Sequence, residues 1–258
     1  MIPLAETIAS PGVPLPQALR AELTRLSVVV PLRDEVDSID ALLRELDAAL
    51  GSLPVELEWI FVDDASSDGS LERLRDWLRK DVRLRVLSLD EHCGQAAALD
   101  AGFRAARGEV IATLDADGQN DPADIPRLLA GLTDVDVVNG VRSMRRDDWL
   151  RRASSKIANR LRRALLGDTV SDIGCSLRVM RARYVRRVKL YRGLHRFLPV
   201  LLEIEGARIS EQPVAHRARR HGKTKYGVRN RLPQATIDLF LVAWMKRRAH
   251  RLRAREMR

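Results

Sequence analysis

The chain has 258 residues, of which 45% are hydrophobic, and a formal net charge of +10. This length and composition allow a core that needs no disulfide, and we expect one domain with appendages. The two cysteines, Cys93 and Cys175, have no metal-binding spacing, which indicates a reducing compartment and argues against a zinc site.

The first 24 residues predict no regular fold. They lack the basic start of a secretory signal and are broken by prolines, so we expect a loose extension. From residue 25 onward, patterns of buried strands and amphipathic helices alternate at short range. The predicted strands cover 25–32, 57–64, 84–89, 109–116 and 135–141, and the predicted helices cover 36–50, 68–81, 94–106 and 121–132.

After residue 141 the pattern changes to arginine-rich segments. Basic amphipathic helices are predicted over 147–167 and 232–255, strands over 175–181 and 207–217, and a glycine-hinged basic loop over 219–227. Residues 1–141 carry a net charge of −13, whereas the rest of the chain carries +23. A basic half of this kind is typical of a protein that faces nucleic acid, phosphorylated ligands or a membrane surface, although solvated arginine-rich helices give the same pattern.

The longest apolar stretch, residues 235–245, has 11 residues and contains Asp238, so it is too short to span a bilayer as a helix. Together with the basic residues that follow, it could lie on a membrane surface. It could equally pack against the domain or a second copy of the chain. Both hypotheses stay open for the predicted C-terminal helical segment, residues 228–258.

Repeated strand-helix units with nearly continuous apolar strands predict an α/β fold with a parallel, doubly wound sheet. Ligands of such sheets bind outside the carboxyl ends of the strands. Asp63 and Asp64 end one predicted strand, and Asp115 and Asp117 end another. We therefore expect these carboxylates to share one crevice.

The Asp115-x-Asp117 pair is open to several interpretations. It can hold a divalent cation through oxygen ligands, supply a nucleophile or general acid/base, or form a turn with Gly118. Phosphatases of the haloacid dehalogenase type also have Asp-x-Asp-Gly after an apolar strand, but near the start of the domain and followed by Thr or Ser, where this chain has Gln119. A dinucleotide-binding oxidoreductase is disfavoured because no G-x-G-x-x-G follows the first strand.

Several stretches, in this order and at these spacings, together resemble glycosyltransferase family 2. They are SVVVPLRDE (27–35), FVDDASSDGS (61–70), HCGQAAALDAGFRAARGEVIATLDADGQNDPADIPRLL (92–129), VSDIGCSLRVMR (170–181) and RRHGKTKYG (219–227). Within the family they resemble the synthases that move a sugar onto a polyprenyl or dolichyl phosphate. The resemblance implies an A-type nucleotide-sugar fold, Rossmann-like with a mainly parallel sheet, in a catalytic domain at 25–227 with basic amphipathic helices in the C-terminal part.

The resemblance also implies roles for individual residues at the substrates' phosphates and the metal. The nucleotide pocket would contain Pro31, Glu35, Asp63, Asp64 and Asp115. Mg²⁺ or Mn²⁺ would be bound by Asp115, Asp117 and Gln119, and the residues expected to be catalytic are Asp115, Asp117 and Arg142. The acceptor phosphate would be held by Arg151 or Arg152, Arg219 and Lys225, while Asp172 matches an aspartate of a family turn.

Three features depart from the family pattern. Leu32 and Arg33 stand where Tyr and Asn are common, which affects the expected contact with the base, and His92 replaces a frequent Asn. The pair of C-terminal transmembrane helices found in many relatives has no counterpart in this sequence. We therefore expect the short type that docks on the inner face of the cytoplasmic membrane.

The acceptor follows from charge. A lipid phosphate is already anionic near neutral pH and needs positioning, which suits arginine, whereas a hydroxyl would need a general base that the second half does not obviously offer. We expect an inverting transfer from a nucleotide sugar, with a UDP-sugar favoured, to polyprenyl phosphate for cell-envelope glycoconjugates. A GDP-mannose-dependent mannose synthase and a sugar-hydroxyl acceptor are the alternatives, and a homodimer is left open. Nucleic-acid binding is disfavoured because aromatic residues make up only 4% of the chain.

Overall fold

A computed structural model of the chain describes residues 15–142, 162–163, 165–167, 170–219 and 231–249. The strands are β1 Arg25–Leu32, β2 Glu56–Asp63, β3 Leu84–Ser88, β4 Val110–Thr113, β5 Val137–Arg142, β6 Arg178–Arg181 and β7 Ile209–Val214. The helices are α1 Gln17–Glu22, α2 Val36–Leu50, α3 Ser70–Leu78, α4 Gln95–Ala105, α5 Ile125–Ala130, α6 Ala182–Val185, α7 Leu198–Ile204 and α8 Arg231–Arg248. Short 3-10 turns, Pro122–Asp124 and Leu194–Phe197, precede α5 and α7.

The strands form one sheet in the order β3-β2-β1-β4-β6-β5-β7. β1 pairs in parallel with β2 and β4, which confirms the parallel sheet predicted for the first half. The later strand β6 inserts antiparallel between β4 and β5, and β7 adds in parallel to β5. Since β2 lies on one side of β1 and β4 on the other, the strand order reverses at β1, and a crevice opens at the carboxyl ends of β1 and β4.

Helices cover both faces of the sheet, and β1 packs against both layers. Alternate side chains of β1, such as Val28 and Val30, join the apolar cluster of α1, α2 and α5, whereas Val29 joins the cluster of α4, α7 and α8. Gly102 of α4 lies so close to β1 that a Cβ there would come within 2.4 Å of Val29 Cγ1. Helix α4 is therefore held directly on the central strand.

The beginning of the described chain differs from the expected loose extension. Leu15, Leu19 and Leu23, spaced four residues apart around α1, are buried in the main apolar cluster. This spacing places the three side chains on one side of the short helix. Residues 15–23 therefore pack on the domain.

Helix α8 combines a buried face and an exposed one. Leu239, Val242 and Ala243 are buried against the domain. On the other side lie Ile237, Phe240, Leu241 and Trp244, which are between 43% and 61% exposed and form what we call the apolar face of α8. Within the described ranges, no helix combines the length and apolarity needed to cross a membrane.

Candidate active site

A cavity of about 790 Å³ occupies the crevice where the strand order reverses. Its walls come from the ends of β1 and β4, the start of α4, the segment before β6, and the residues before α7. Its size is within the range of small-molecule sites. Among the site residues predicted from the sequence, Pro31 and Asp115 line it. Pro31 lies past the last residue of β1 that pairs with β4, where a strand tolerates the loss of an N–H.

Asp115 lies two residues beyond β4 and is held by neighbours from two other parts of the chain. Its Oδ1 accepts a hydrogen bond from Gln95 Nε2 at 2.7 Å, and the Ser176 hydroxyl also bonds its carboxylate. Burial and the charge of Asp117 raise the pKa of Asp115 to about 6, against the opposing effect of Ser176 and nearby arginines. The two carboxylates thus lie close enough to repel each other.

The donor atoms of this loop fit a divalent cation. Asp117 Oδ1 accepts the backbone N–H of Gln119 at 3.1 Å, which folds the loop back at Gly118, where φ is +72°. Carboxylate and amide oxygens are the ligands that Mg²⁺ and Mn²⁺ prefer, and a cation would relieve the repulsion between Asp115 and Asp117. In the part of the chain that the structure describes, no group of three or more His, Cys, Asp or Glu residues could hold a metal. Because Mg²⁺ and Mn²⁺ prefer six oxygen ligands, a cation held by Asp115, Asp117 and Gln119 would keep positions for water and substrate oxygens.

Arg142, at the end of β5, is fixed by Asp172. The guanidinium donates to the carboxylate through Nε at 2.7 Å and Nη2 at 2.8 Å, a two-pronged geometry that sets its orientation. Both side chains are largely buried. The charge of Arg142 also acts on Asp115. The predicted partner of the donor diphosphate thus lies near the Asp115 loop, and Asp172 holds it there.

The two carboxylates at the carboxyl end of β2, Asp63 and Asp64, have different surroundings. Asp64 is 4% exposed and accepts hydrogen bonds from His92 Nδ1 and from the backbone N–H groups of Cys93 and Gly94, at 2.7 to 3.1 Å. It therefore organises the loop that begins α4. Asp63 uses Oδ2 for the N–H of Ser66, while its buried Oδ1 has no hydrogen-bond partner within the described ranges.

The segment after β7 runs beside the Asp115 loop. Arg217 donates its backbone N–H to the carbonyl of Gln119, and its guanidinium pairs with Glu45 and Asp121. Two residues later, Arg219 forms an ion pair with Glu35. A residue predicted for the acceptor phosphate and one predicted for the nucleotide pocket are thus in direct contact. The predicted acceptor residues Arg151, Arg152 and Lys225 lie outside the described residues.

Three side chains of the cavity were not singled out from the sequence. Gln95 and Ser176 contact Asp115, and Arg178 lies beside them on β6. They occur within GQAAALD and CSLRVMR, stretches quoted above for the resemblance alone. The available signal was a charged residue, Arg178, inside the strand predicted at 175–181.

The sequence of this chain is similar to those of known glycosyltransferases. Residues 27–189, more than half of the chain, match the profile of Glycosyl transferase family 2. The dodecaprenyl-phosphate galacturonate synthase of Rhizobium johnstonii is 40% identical over 86% of this chain and 67% of its own length. The undecaprenyl-phosphate 4-deoxy-4-formamido-L-arabinose transferase of Edwardsiella ictaluri is 39% identical over 79% of this chain and 63% of its own. The chain thus spans about two thirds of the length of these curated relatives.

Solved structures confirm the fold class. The mannosyltransferase PcManGT of Pyrobaculum calidifontis, in complex with GDP-Man and Mn²⁺, superposes with a TM-score of 0.64 at 20% identity, over 86% of this chain and 64% of that one. Glucosyl-3-phosphoglycerate synthase of Mycobacterium tuberculosis, in complex with Mn²⁺, UDP-glucose and phosphoglyceric acid, gives 0.64 at 17% identity, over 88% and 82%. At these identities, the likeness establishes the A-type glycosyltransferase fold.

Proposed function

Because this chain belongs to glycosyl transferase family 2, we propose that it transfers a sugar from a nucleotide sugar to the phosphate of a polyprenyl phosphate. The observation that carries the proposal is the Asp115-Asp117 pair at the carboxyl end of β4, beside arginines from the basic half of the chain. The names of the two curated relatives support the lipid phosphate as acceptor.

The reaction we propose is a single in-line displacement. An oxygen of the acceptor phosphate attacks the anomeric carbon, the bond from that carbon to the diphosphate oxygen breaks, and the nucleoside diphosphate leaves with inversion. A bound Mg²⁺ or Mn²⁺ would neutralise the charge that develops on the leaving group. Asp115, Asp117 and Gln119 would hold that ion, and Gln95 and Ser176 keep the Asp115 carboxylate in one orientation.

The arginines supply the remaining electrostatics. Arg142 would lie against the donor diphosphate, in the orientation that Asp172 imposes. Arg219 would contact the acceptor phosphate after exchanging its ion pair with Glu35 for the substrate, and Arg151 or Arg152 and Lys225 belong to the same proposal. No proton needs to be removed from a phosphate acceptor, so the proposal requires no general base.

We place the enzyme at the inner face of the cytoplasmic membrane. The apolar face of α8 is followed by Lys246, Arg247 and Arg248, a combination suited to the boundary between anionic head groups and acyl chains. Lys246 already pairs with Glu203 at 2.6 Å, so among the described basic residues at the end of α8 we assign the exposed Arg247 and Arg248 to lipid contact. Leu239 and Val242 remain packed in the domain, so α8 would dock while still attached to it.

The test is a transfer assay with a panel of donors. The purified chain is incubated with Mn²⁺ or Mg²⁺, polyprenyl phosphate and each of several UDP-sugars or GDP-mannose, and both the glycolipid and the released nucleoside diphosphate are quantified. We expect a UDP-sugar to be the donor. The matched control is the corresponding polyprenol, which lacks the phosphate and should accept no sugar. Absence of glycolipid with every donor would refute the proposed function, whereas transfer to a sugar hydroxyl would replace its acceptor.

A further inference from the structure

Arg178 is a buried cation that the mechanism above does not use. It lies on β6 opposite Thr113 of β4 and Asn139 of β5, near the middle of the sheet, and is 4% exposed. Its Nη2 donates to the carbonyl of Cys175. The Nε and Nη1 atoms are buried and have no hydrogen-bond partner within the described residues.

Such a group is unfavourable unless something binds it. An arginine side chain keeps its charge under all ordinary conditions, and burying it with unsatisfied N–H groups is costly. The carboxylates whose charges reach it are Asp115 and Asp172. Asp172 is already engaged by both prongs of Arg142, and Asp115 by Gln95 and Ser176. The positive charge of Arg178 is thus only partly compensated by the protein.

The position of Arg178 indicates what would satisfy it. The side chain forms part of the wall of the cavity that Asp115 also lines, so a ligand bound at this wall would lie against the guanidinium, and a small shift of the side chain would bring its unpaired N–H groups to that ligand. We propose that Arg178 binds a phosphate oxygen of a substrate at the base of this cavity. Identifying that phosphate rests on the proposed function: it belongs either to the diphosphate of the sugar donor or to the polyprenyl phosphate.

Arg181, on the same strand, provides a matched comparison. Its guanidinium donates to Glu22 and to the carbonyl of Leu132, and it faces away from the Asp115 cavity. If arginine served only to stabilise β6, substituting Arg178 or Arg181 would have the same effect on ligand binding. A role in phosphate binding makes only Arg178 sensitive to ligand.

The first experiment measures binding without turnover. Titration calorimetry with UDP and with inorganic pyrophosphate, each in the presence of Mn²⁺, is carried out on the wild type, R178K, R178Q and R181Q. If Arg178 holds the donor diphosphate, R178Q should bind both probes about 10- to 100-fold more weakly, because a charge-assisted hydrogen bond is lost, and R178K should recover part of the affinity. R181Q should bind as the wild type does.

The second arm addresses the acceptor. If R178Q binds UDP normally but its KM for polyprenyl phosphate rises by a similar factor, Arg178 holds the acceptor phosphate. If the Kd for UDP and the KM for polyprenyl phosphate both stay within twofold of the wild-type values in folded R178Q, the unpaired N–H groups bind only a structural water and the inference is wrong. Transfer at the wild-type rate and KM by R178Q would overturn this inference alone, whereas Arg178-dependent pyrophosphate binding without transfer to any acceptor would overturn the proposed function alone.

A measurement on the wild type keeps the inference testable if R178Q does not fold. The Nε–H resonance of Arg178 in a ¹⁵N-arginine spectrum is assigned by its absence from R178K. Diamagnetic Mg²⁺ replaces Mn²⁺ in this measurement. Addition of saturating pyrophosphate, or of polyprenyl phosphate, should shift this resonance and slow the exchange of its proton with solvent. An unchanged resonance with both ligands would contradict the proposal.

Discussion

Substituting Asp64 distinguishes a structural role of this carboxylate from direct contact with the nucleotide, which is the role that the family resemblance implies. In the structure, the carboxylate accepts from His92, Cys93 and Gly94 at 2.7 to 3.1 Å and thereby fixes the loop that leads to Gln95. We therefore expect the main effect of D64A to be a lower free energy of unfolding and not the loss of a direct contact with the nucleotide.

The magnitude follows from the groups left without an acceptor. D64A removes the acceptor of two backbone N–H groups and of the His92 ring. A deeply buried N–H left unpaired costs about 1 to 3 kcal/mol, but water can reach this loop because Cys93 is exposed, so we expect about 2 to 3 kcal/mol in total. For a chain of this size, that corresponds to a melting temperature lower by about 5 to 10 °C.

D64N provides the contrast. The amide oxygen can still accept from Cys93 and Gly94, while its NH₂ group can donate to His92 Nδ1 if the ring proton moves to Nε2. We expect this variant to lose less than about 1 kcal/mol. The control is D90A, because Asp90 is an exposed acidic residue in the same connection and should change stability by less than about 0.5 kcal/mol.

The assay combines urea denaturation with UDP titration for all three variants. The structural role predicts that D64A is the least stable, with D64N close to the wild type. If D64A and D64N both unfold like the wild type but bind UDP at least 10-fold more weakly, Asp64 contacts the nucleotide directly and our reasoning about the loop is refuted.

The structure leads to four further expected outcomes. E58Q should lower the free energy of unfolding by about 2 to 4 kcal/mol, because Glu58 is buried and accepts hydrogen bonds from Ser27, the backbone N–H of Arg107 and Arg85 at 2.5 to 2.6 Å. The control is E56Q, which removes an exposed ion pair and should leave the free energy of unfolding almost unchanged in the same denaturation experiment. Burial raises the pKa of Glu58, but its hydrogen bonds outweigh this effect and lower the pKa below its ordinary value of 4.5. The stabilisation from the ionised carboxylate is therefore complete above about pH 4.5 and is lost as the pH falls through the lowered pKa. In denaturation across pH 3 to 7, the free energy of unfolding of E58Q should decrease less towards acid pH than that of the wild type. D115N should reduce transfer at least about 100-fold and weaken Mn²⁺ binding measured by calorimetry, and undiminished transfer in EDTA would contradict the metal assignment. Replacing Phe240 and Trp244 together with Ser should abolish co-sedimentation with anionic vesicles and leave the melting temperature within about 2 °C, because both side chains are more than half exposed; an unchanged vesicle affinity would argue for another docking surface.

The basic second half of the chain forms ion pairs with the acidic first half. Arginines of the basic half form ion pairs with carboxylates of the acidic half, as Arg181 does with Glu22, Arg217 with Asp121 and Arg219 with Glu35. Part of the excess positive charge is therefore already opposed in the folded protein. The net charge of the second half overstates what remains for phosphate or lipid.

Local periodicity was sufficient for much of the first half. The predicted boundaries of β1 and α2 agree with the structure, because a continuous apolar run and a helical repeat are properties of neighbouring residues. The predicted strand at 109–116 is shorter in the structure, Val110–Thr113, since Asp115 and the residues around it form a loop instead. The same strand-helix alternation placed the carboxylates at strand ends and so indicated the crevice.

By itself, the sequence determined that a parallel α/β sheet presents Asp115 and Asp117 at the end of a strand. Only the tertiary structure decided what surrounds them. The antiparallel insertion of β6 beside β4 brings Ser176 and Arg178 to a carboxylate some sixty residues earlier, and the same pairing buries the arginine. Strand order and register depend on pairing between distant segments, so no local pattern could assign Arg178 to the cavity or reveal that Asp64 holds a loop.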